Sequence, residues 1–148
     1  MPDELIMRGK SASGTTETLN FGGRTPGYAY NLIDFKIYPT ILDDQTSELS
    51  GTVTANDTSM SPVNPDFSDP GLIGTAIFFQ SKDGPTNSNV DNIINDLFYI
   101  TQDLLLRIED MKVGAPMDIN WQLKFKKVKL SASAEAVANF NQFTIYDG

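Results

Sequence analysis

Apolar and polar residues alternate with a period of two along several short stretches of this chain. The clearest stretch sets Ile119, Trp121, Leu123 and Phe125 against Asn120, Gln122, Lys124 and Lys126. Successive side chains of a strand point to opposite faces, so the pattern predicts a half-buried strand with one wet side. Beyond it the phase slips, which places Val128 and Leu130 inward and Lys127 and Lys129 outward. Tyr28, Tyr30 and Leu32 alternate in one phase, then Ile33, Phe35 and Ile37 in the other. That change of phase predicts a strand with a bulge, ended by Pro39. Ser47 to Thr54 is a weaker strand, interrupted by Gly51, and the apolar run Leu72 to Gln80 suits a strand buried on both faces. Between these two lies a long loop, residues 55–71, marked by Pro62, Pro65 and Pro70. Loops of that length inside a compact domain usually carry function or meet a partner.

Further along, Ser81 to Asn89 reads as loop and Val90 to Asp96 as one helical turn. Leu97 to Glu109 fits two periods. Leu97, Ile100, Leu104 and Ile108 have helical spacing, whereas Leu104, Leu106 and Ile108 alternate, and the second half is read as strand. With Gly114 and Pro116 in the connection, Leu104 to Leu130 reads as an antiparallel hairpin. Ser133 to Phe140 reads as a short helix capped by Ser133, followed by a last strand, Gln142 to Tyr146, with Phe143 and Ile145 inward. The first 27 residues are rich in Gly, Ser and Thr and end in Gly22-Gly23-Arg24-Thr25-Pro26-Gly27. Little apolar surface is available there to offset the entropy of ordering. The organisation expected is therefore an extended N-terminal arm, 1–27, and one domain, 28–148. Its fold class is all-β: an antiparallel, jelly-roll-like β-sandwich with one or two short helices.

Composition removes whole classes of chemistry. The 148 residues include no cysteine and no histidine. Thiolate nucleophiles, zinc fingers and Ser–His–Asp arrangements cannot be built from them. A formal charge of −8 opposes general binding to nucleic acid or anionic membranes. Residues 1–10 lack the basic and apolar regions of a secretion signal, and no apolar stretch approaches the ~18 residues of a membrane helix.

Carboxylate pairs are the remaining route to catalysis, because two acids flanking a glycosidic bond can hydrolyse it. Asp34, Asp96, Asp103 and Glu109 lie in or beside expected elements, but nothing in their spacing pairs them, so no catalytic residue and no cofactor are assigned. Asn64, Asp66, Ser68 and Asp69 offer oxygen ligands of the kind calcium takes, with Asp66 and Asp69 the principal candidates, against the plainer reading of an Asx-turn loop. Tyr28, Tyr30 and Trp121 suit either a sugar-stacking platform or a core. Lys124, Lys126, Lys127 and Lys129 fall within six residues of an otherwise acidic chain. Together with Arg24 they are the candidate assembly residues, either a solvated face that discourages aggregation or a contact for the acidic loops of a neighbouring copy.

The segments Asn20-Phe21-Gly22-Gly23-Arg24-Thr25-Pro26-Gly27-Tyr28 and Ala136-Val137-Ala138-Asn139-Phe140-Asn141-Gln142-Phe143 carry a resemblance. With the small cysteine-free β-domain and its long loops, they make the chain similar to small virion structural proteins of bacteriophages, marine ones especially. The resemblance implies a virion location, capsid or other virion proteins as partners, and a homo-oligomer. It also implies a non-enzymatic role, most directly capsid decoration or a minor capsid subunit, with a tail-tube or head–tail junction subunit as the variant. A carbohydrate-binding β-sandwich module is the alternative.

Overall fold

The computed structural model describes residues 3–21, 26–41, 46–55, 60–80, 88–112 and 116–147. Among them the chain forms, in order, β1 (Glu4–Ser11), β2 (Thr16–Leu19), β3 (Tyr28–Pro39), β4 (Ser47–Thr54), β5 (Leu72–Gln80), β6 (Ser88–Ile94), β7 (Leu104–Asp110), β8 (Ile119–Lys129) and α1 (Ala132–Asp147). The strands make two antiparallel sheets. The smaller has the order β1-β8-β3 and the larger β2-β7-β4-β5-β6. Buried side chains of both sheets, among them Leu32, Phe35, Leu106, Ile108, Leu123 and Phe125, belong to one apolar cluster, so the sheets face each other in a sandwich-like arrangement.

The way β3 meets the larger sheet explains how that cluster closes. Its pairing with β8 shifts register between Leu32 and Asp34, leaving Ile33 as the extra residue of the expected bulge. Because of the bulge, Leu32 and Phe35 are both fully buried although three positions apart, and Ile33 is turned outward. Each meets a glycine of the opposite sheet. A Cβ on Gly74 would lie 2.9 Å from Leu32 Cδ2, and one on Gly51 2.9 Å from Phe35 Cζ. The glycine that weakened β4 as a strand is therefore a slot for the ring of Phe35.

Residues 3–21 do not form a detached arm. Strand β1 pairs with β8 over its whole length, from Glu4 opposite Lys126 to Ser11 opposite Ile119, and β2 pairs with β7. Between them Gly14, at φ 83°, turns the chain from one sheet to the other and donates to the Ile108 carbonyl at 2.9 Å. Phe21 then closes one end of the core, its ring 5.1 Å from that of Phe125 and 5.4 Å from that of Tyr30. Its backbone N–H donates to Asp103 at 2.7 Å. The Gly/Ser/Thr content concealed Leu5, Met7, Leu19 and Phe21, which between them supply the apolar surface that ordering requires.

Three further expectations are corrected. Strands β7 and β8 are not a hairpin, because they belong to different sheets. At the end of β7 buried Asp110 accepts from Lys112 N–H at 3.0 Å and from Met117 N–H at 2.9 Å. Residues 90–94 lie in strand β6, not in a helical turn, since pairing to β5 outweighs weak local preference. The expected last strand, 142–146, is the continuation of α1, whose cap is Ser131 and not Ser133: Ser131 Oγ accepts from Ala134 N–H at 3.2 Å.

Deleting residues 1–21 removes a strand from each sheet and the plug of the core. The truncated chain is expected to lose cooperative thermal unfolding by circular dichroism. A truncation that melts as cooperatively, and at the same temperature, as the full chain would contradict the integral role of β1 and β2.

Candidate functional site

Alternation places half of the side chains of β1, β8 and β3 on the solvent face of the small sheet. Register arranges them in rows: Glu4–Lys126–Asn31, Ile6–Lys124–Asp34, Arg8–Gln122–Lys36 and Lys10–Asn120–Tyr38. Five cations, Arg8, Lys10, Lys36, Lys124 and Lys126, thus share a face with two carboxylates, Glu4 and Asp34. Eleven cations and nineteen carboxylates make up the whole chain, so this face is strongly opposite in sign to the remainder. The two carboxylates offset part of it. Glu4 lies 3.1 Å from Lys124 Nζ and Asp34 3.7 Å from Lys36 Nζ. Partly exposed pairs of this kind contribute only ~0–1 kcal/mol. Between the last two rows lies an open cleft of about 760 Å³, lined by Arg8, Lys36, Tyr38, Asn120 and Gln122, with Gly9, Ile37 and Trp121 behind them.

The lysine cluster divides across the sheet. Strand β8 itself keeps one alternation: it pairs with β1 as far as Lys126 and with β3 through Lys127 opposite Tyr30 to Lys129 opposite Tyr28, so the phase slip expected near Lys127 does not occur. The slip lies in β3 instead, at Ile33. Lys124 and Lys126 consequently join the outer face, while Lys127 and Lys129 alternate to the other side at the mouth of the sandwich. There Lys127 Nζ lies 4.5 Å above the ring of Tyr28, a cation–π contact between diagonal neighbours. Arg24 lies outside the described residues.

The candidate acids and the candidate aromatics lie apart from one another, and the carboxylates of the candidate calcium loop are engaged locally. Asp66 and Asp69 hold their own turns, Asp66 accepting from Ser68 N–H (2.9 Å) and Oγ–H (2.6 Å), and Asp69 from Gly71 N–H (2.8 Å). That is Asx-turn geometry. Among the described residues no three acids gather where they could hold a metal ion. Asp34 faces outward from the small sheet and Glu109, by alternation on β7, outward from the large one. Asp103 holds Phe21, and exposed Asp96 sits in the turn after β6. The three aromatics are also dispersed. Trp121 is opposite Ile37, six positions along β8 from Lys127, which is opposite Tyr30, so ~20 Å separates the two ends. Trp121 is half-buried over Gly9, where a Cβ would come within 2.7 Å of its Cζ2. Its Nε1 donates to Ser11 Oγ at 3.1 Å, and Ser11 Oγ–H donates to Glu17 at 2.7 Å, linking β8, β1 and β2.

A second surface was foreseen only in its long loop, residues 55–71, and not in the sheet face beneath it. Residues 60–71 cross the solvent face of the large sheet, where Met60 is buried and Ser50 Oγ–H donates to the Pro62 carbonyl. Beside this loop is a groove of about 270 Å³ whose lining includes Val63, Phe67, Ile77, Ile93 and Met111. All five are exposed, Phe67 at 63% and Ile93 at 58%. Around it stand Glu48, the neighbour of Ser50 on the outer face of β4, Glu109, directly opposite Ser50 on β7, and Asp91, directly opposite Ile77. On this sheet face Arg107 is buried, with Nη1 donating to Thr54 Oγ1 at 3.2 Å.

No protein-family model, no curated protein and no solved structure matches the chain. The surfaces therefore have to speak through their own chemistry.

Trp121→Phe keeps the packing over Gly9 and removes the Nε1 hydrogen bond that ties the sheet junction. The expected loss is about 1 kcal/mol in denaturant titration, the usual worth of one such bond. An unchanged midpoint would show that the junction does not depend on it.

Proposed function

We propose that this chain is a non-enzymatic virion structural protein, a capsid decoration or minor capsid subunit that works by protein–protein assembly. The observation that carries the proposal is the order of strand pairing. Strand 1 pairs with 8, 2 with 7, and 4 with 5, as in a long hairpin folded over on itself. We read this nesting as a jelly roll, an architecture recurrent in viral capsid and lectin domains. The departure is β6, which bonds to β5 and not to β3. It still reaches β3 through Asn92, whose Nδ2 donates to the Phe35 carbonyl at 2.8 Å and to Asp34 at 3.0 Å. Fold alone does not choose a function. The choice between capsid and lectin readings rests on the surfaces, where two broad faces of unlike charge and exposed apolar residues suit contacts with proteins. A tail-tube or head–tail junction subunit would use the same surfaces.

The proposal is tested by immunogold labelling of gradient-purified particles from the source of the sequence. Regular label on particles, with the chain's peptides in the same fractions, is expected. Recovery of the chain only from particle-free fractions would overturn the assignment.

A carbohydrate-binding module is the second reading, favoured by one observation. Tyr38 is 48% exposed beside the amides of Asn120 and Gln122 in the cleft of the small sheet, and its ring is steadied edge-on by Phe78 at 5.5 Å. An aromatic face flanked by amides is the chemistry a sugar ring uses. This reading predicts glycan-array binding that Tyr38→Ala abolishes with the melting temperature unchanged. Trp121, packed against Gly9, would be the wrong residue to remove.

A further inference from the structure

The two outer faces of the sandwich carry opposite charge, and each also carries exposed apolar residues. On the small sheet, Arg8, Lys10, Lys36, Lys124 and Lys126 surround Ile6 (53% exposed) and Tyr38. On the large sheet, Glu48, Asp91 and Glu109 surround the groove of Phe67, Ile77 and Ile93. From this we infer that the protein associates with copies of itself head to tail, the basic face of the small sheet seating on the acidic, grooved face of the large sheet of the next copy. The inference rests on the assembly reading above and specifies its surface.

Charge decides the symmetry of the contact. A two-fold dimer would set each face against its own twin, basic on basic or acidic on acidic, and juxtaposed like charges oppose such pairing. A heterologous contact instead brings the unlike faces together and leaves a free face of each kind at its ends. The two faces lie on opposite sides of a sandwich whose sheets are ~10 Å apart, so successive copies stack in a line or along a gentle curve. They do not close into a small ring.

Size decides its strength. Three strands ~4.8 Å apart and about eight residues long at ~3.3 Å each give a face of roughly 14 Å by 26 Å. That is about half of the ~800 Å² per partner in a standard stable interface. A single contact is therefore weak, dependent on concentration and on salt, and acquires permanence only when repeated or when copies are held close together. The ion pairs Glu4–Lys124 and Asp34–Lys36 cover the basic face in the free subunit and exchange for the neighbour's carboxylates at little cost.

The test uses the full chain in sedimentation velocity across a concentration series. Between ~0.01 M and ~1 M salt the Debye length falls from ~30 Å to ~3 Å, so assembly should be extensive at the lower salt and absent at the higher. Two variants sharpen the result. Lys124→Glu with Lys126→Glu makes both faces acidic, and Glu48→Lys with Asp91→Lys turns the acidic face basic. Each alone should require roughly tenfold or more protein to associate, a shift of ~1.4 kcal/mol. An equimolar mixture should recover assembly, because each variant offers what the other lacks. All these residues are at least partly exposed, so both variants should fold, the glutamate and aspartate variant melting as wild type and the lysine variant somewhat lower because its new carboxylates stand opposite Glu4 and Asp34. If a variant does not fold, the salt series on the unmodified chain still decides. A wild-type chain monomeric at low salt, a species that stops at dimer, or a mixture that stays dissociated each overturns the inference. A chain found on particles yet monomeric in solution would sink the head-to-tail contact alone, and a self-associating chain absent from particles would sink the virion assignment alone.

Discussion

The structure depends on how β3 is seated against the large sheet. Leu32 and Phe35 enter the space above Gly74 and Gly51, and they do so together only because the bulge at Ile33 restores the inward phase. Without the bulge, every residue beyond it would exchange faces: Asp34, Lys36 and Tyr38 would point into the core and Phe35 and Ile37 into water. Burying two charged groups costs far more than any strand pairing supplies. One extra residue therefore sets both the packing of the sandwich and the placement of Lys36 and Tyr38 on its exterior.

The same constraint explains what was legible in the sequence. The phase change in β3, the bounds of β5 and the alternation of β8 through Lys126 could be read directly, because each is a local pattern imposed by burial on one or both faces. The partners of these strands could not be read. β1 and β8 are separated by more than a hundred residues, and no local pattern records that they lie side by side. For that reason the basic face went unrecognised although its parts were visible: Arg8 and Lys10 alternate in β1, Lys36 follows the bulge, and Lys124 and Lys126 alternate in β8. Placing the phase slip in β8 then grouped Lys127 and Lys129 with the wrong side. Beyond Ser131 the alternation of Phe143 and Ile145 suggested strand, yet a capped, alanine-rich start favours continued helix once nucleation has been met.

Among the described residues, unpaired sheet edges are handled in more than one way. The outer edge of β3 is covered by a two-way bridge between Tyr30 and Ile100 (3.0 and 2.7 Å) and, farther along, by the Asn92 side chain on the Phe35 carbonyl. On edge strand β1 the outward positions alternate through Glu4, Ile6, Arg8 and Lys10, and such charges discourage unregulated strand addition. Helix α1 has few buried side chains among those described, and polar contacts tie it to the body: Gly27 N–H to Glu135 at 2.5 Å and Gln102 Nε2 to the Asn139 carbonyl at 3.3 Å.

The nested pairing also orders events in time. Closing β4 on β5 spans a short stretch of chain, whereas joining β1 to β8 spans nearly all of it, and long closures carry the larger entropic penalty and come late. Arg8 and Lys10 reach the outer face only with that last step. A chain still folding therefore presents a basic face short of two of its five cations, while a finished one presents them all. Completion of the fold and completion of the basic face thus become one event, and an exposed surface property reports on whether the interior has closed.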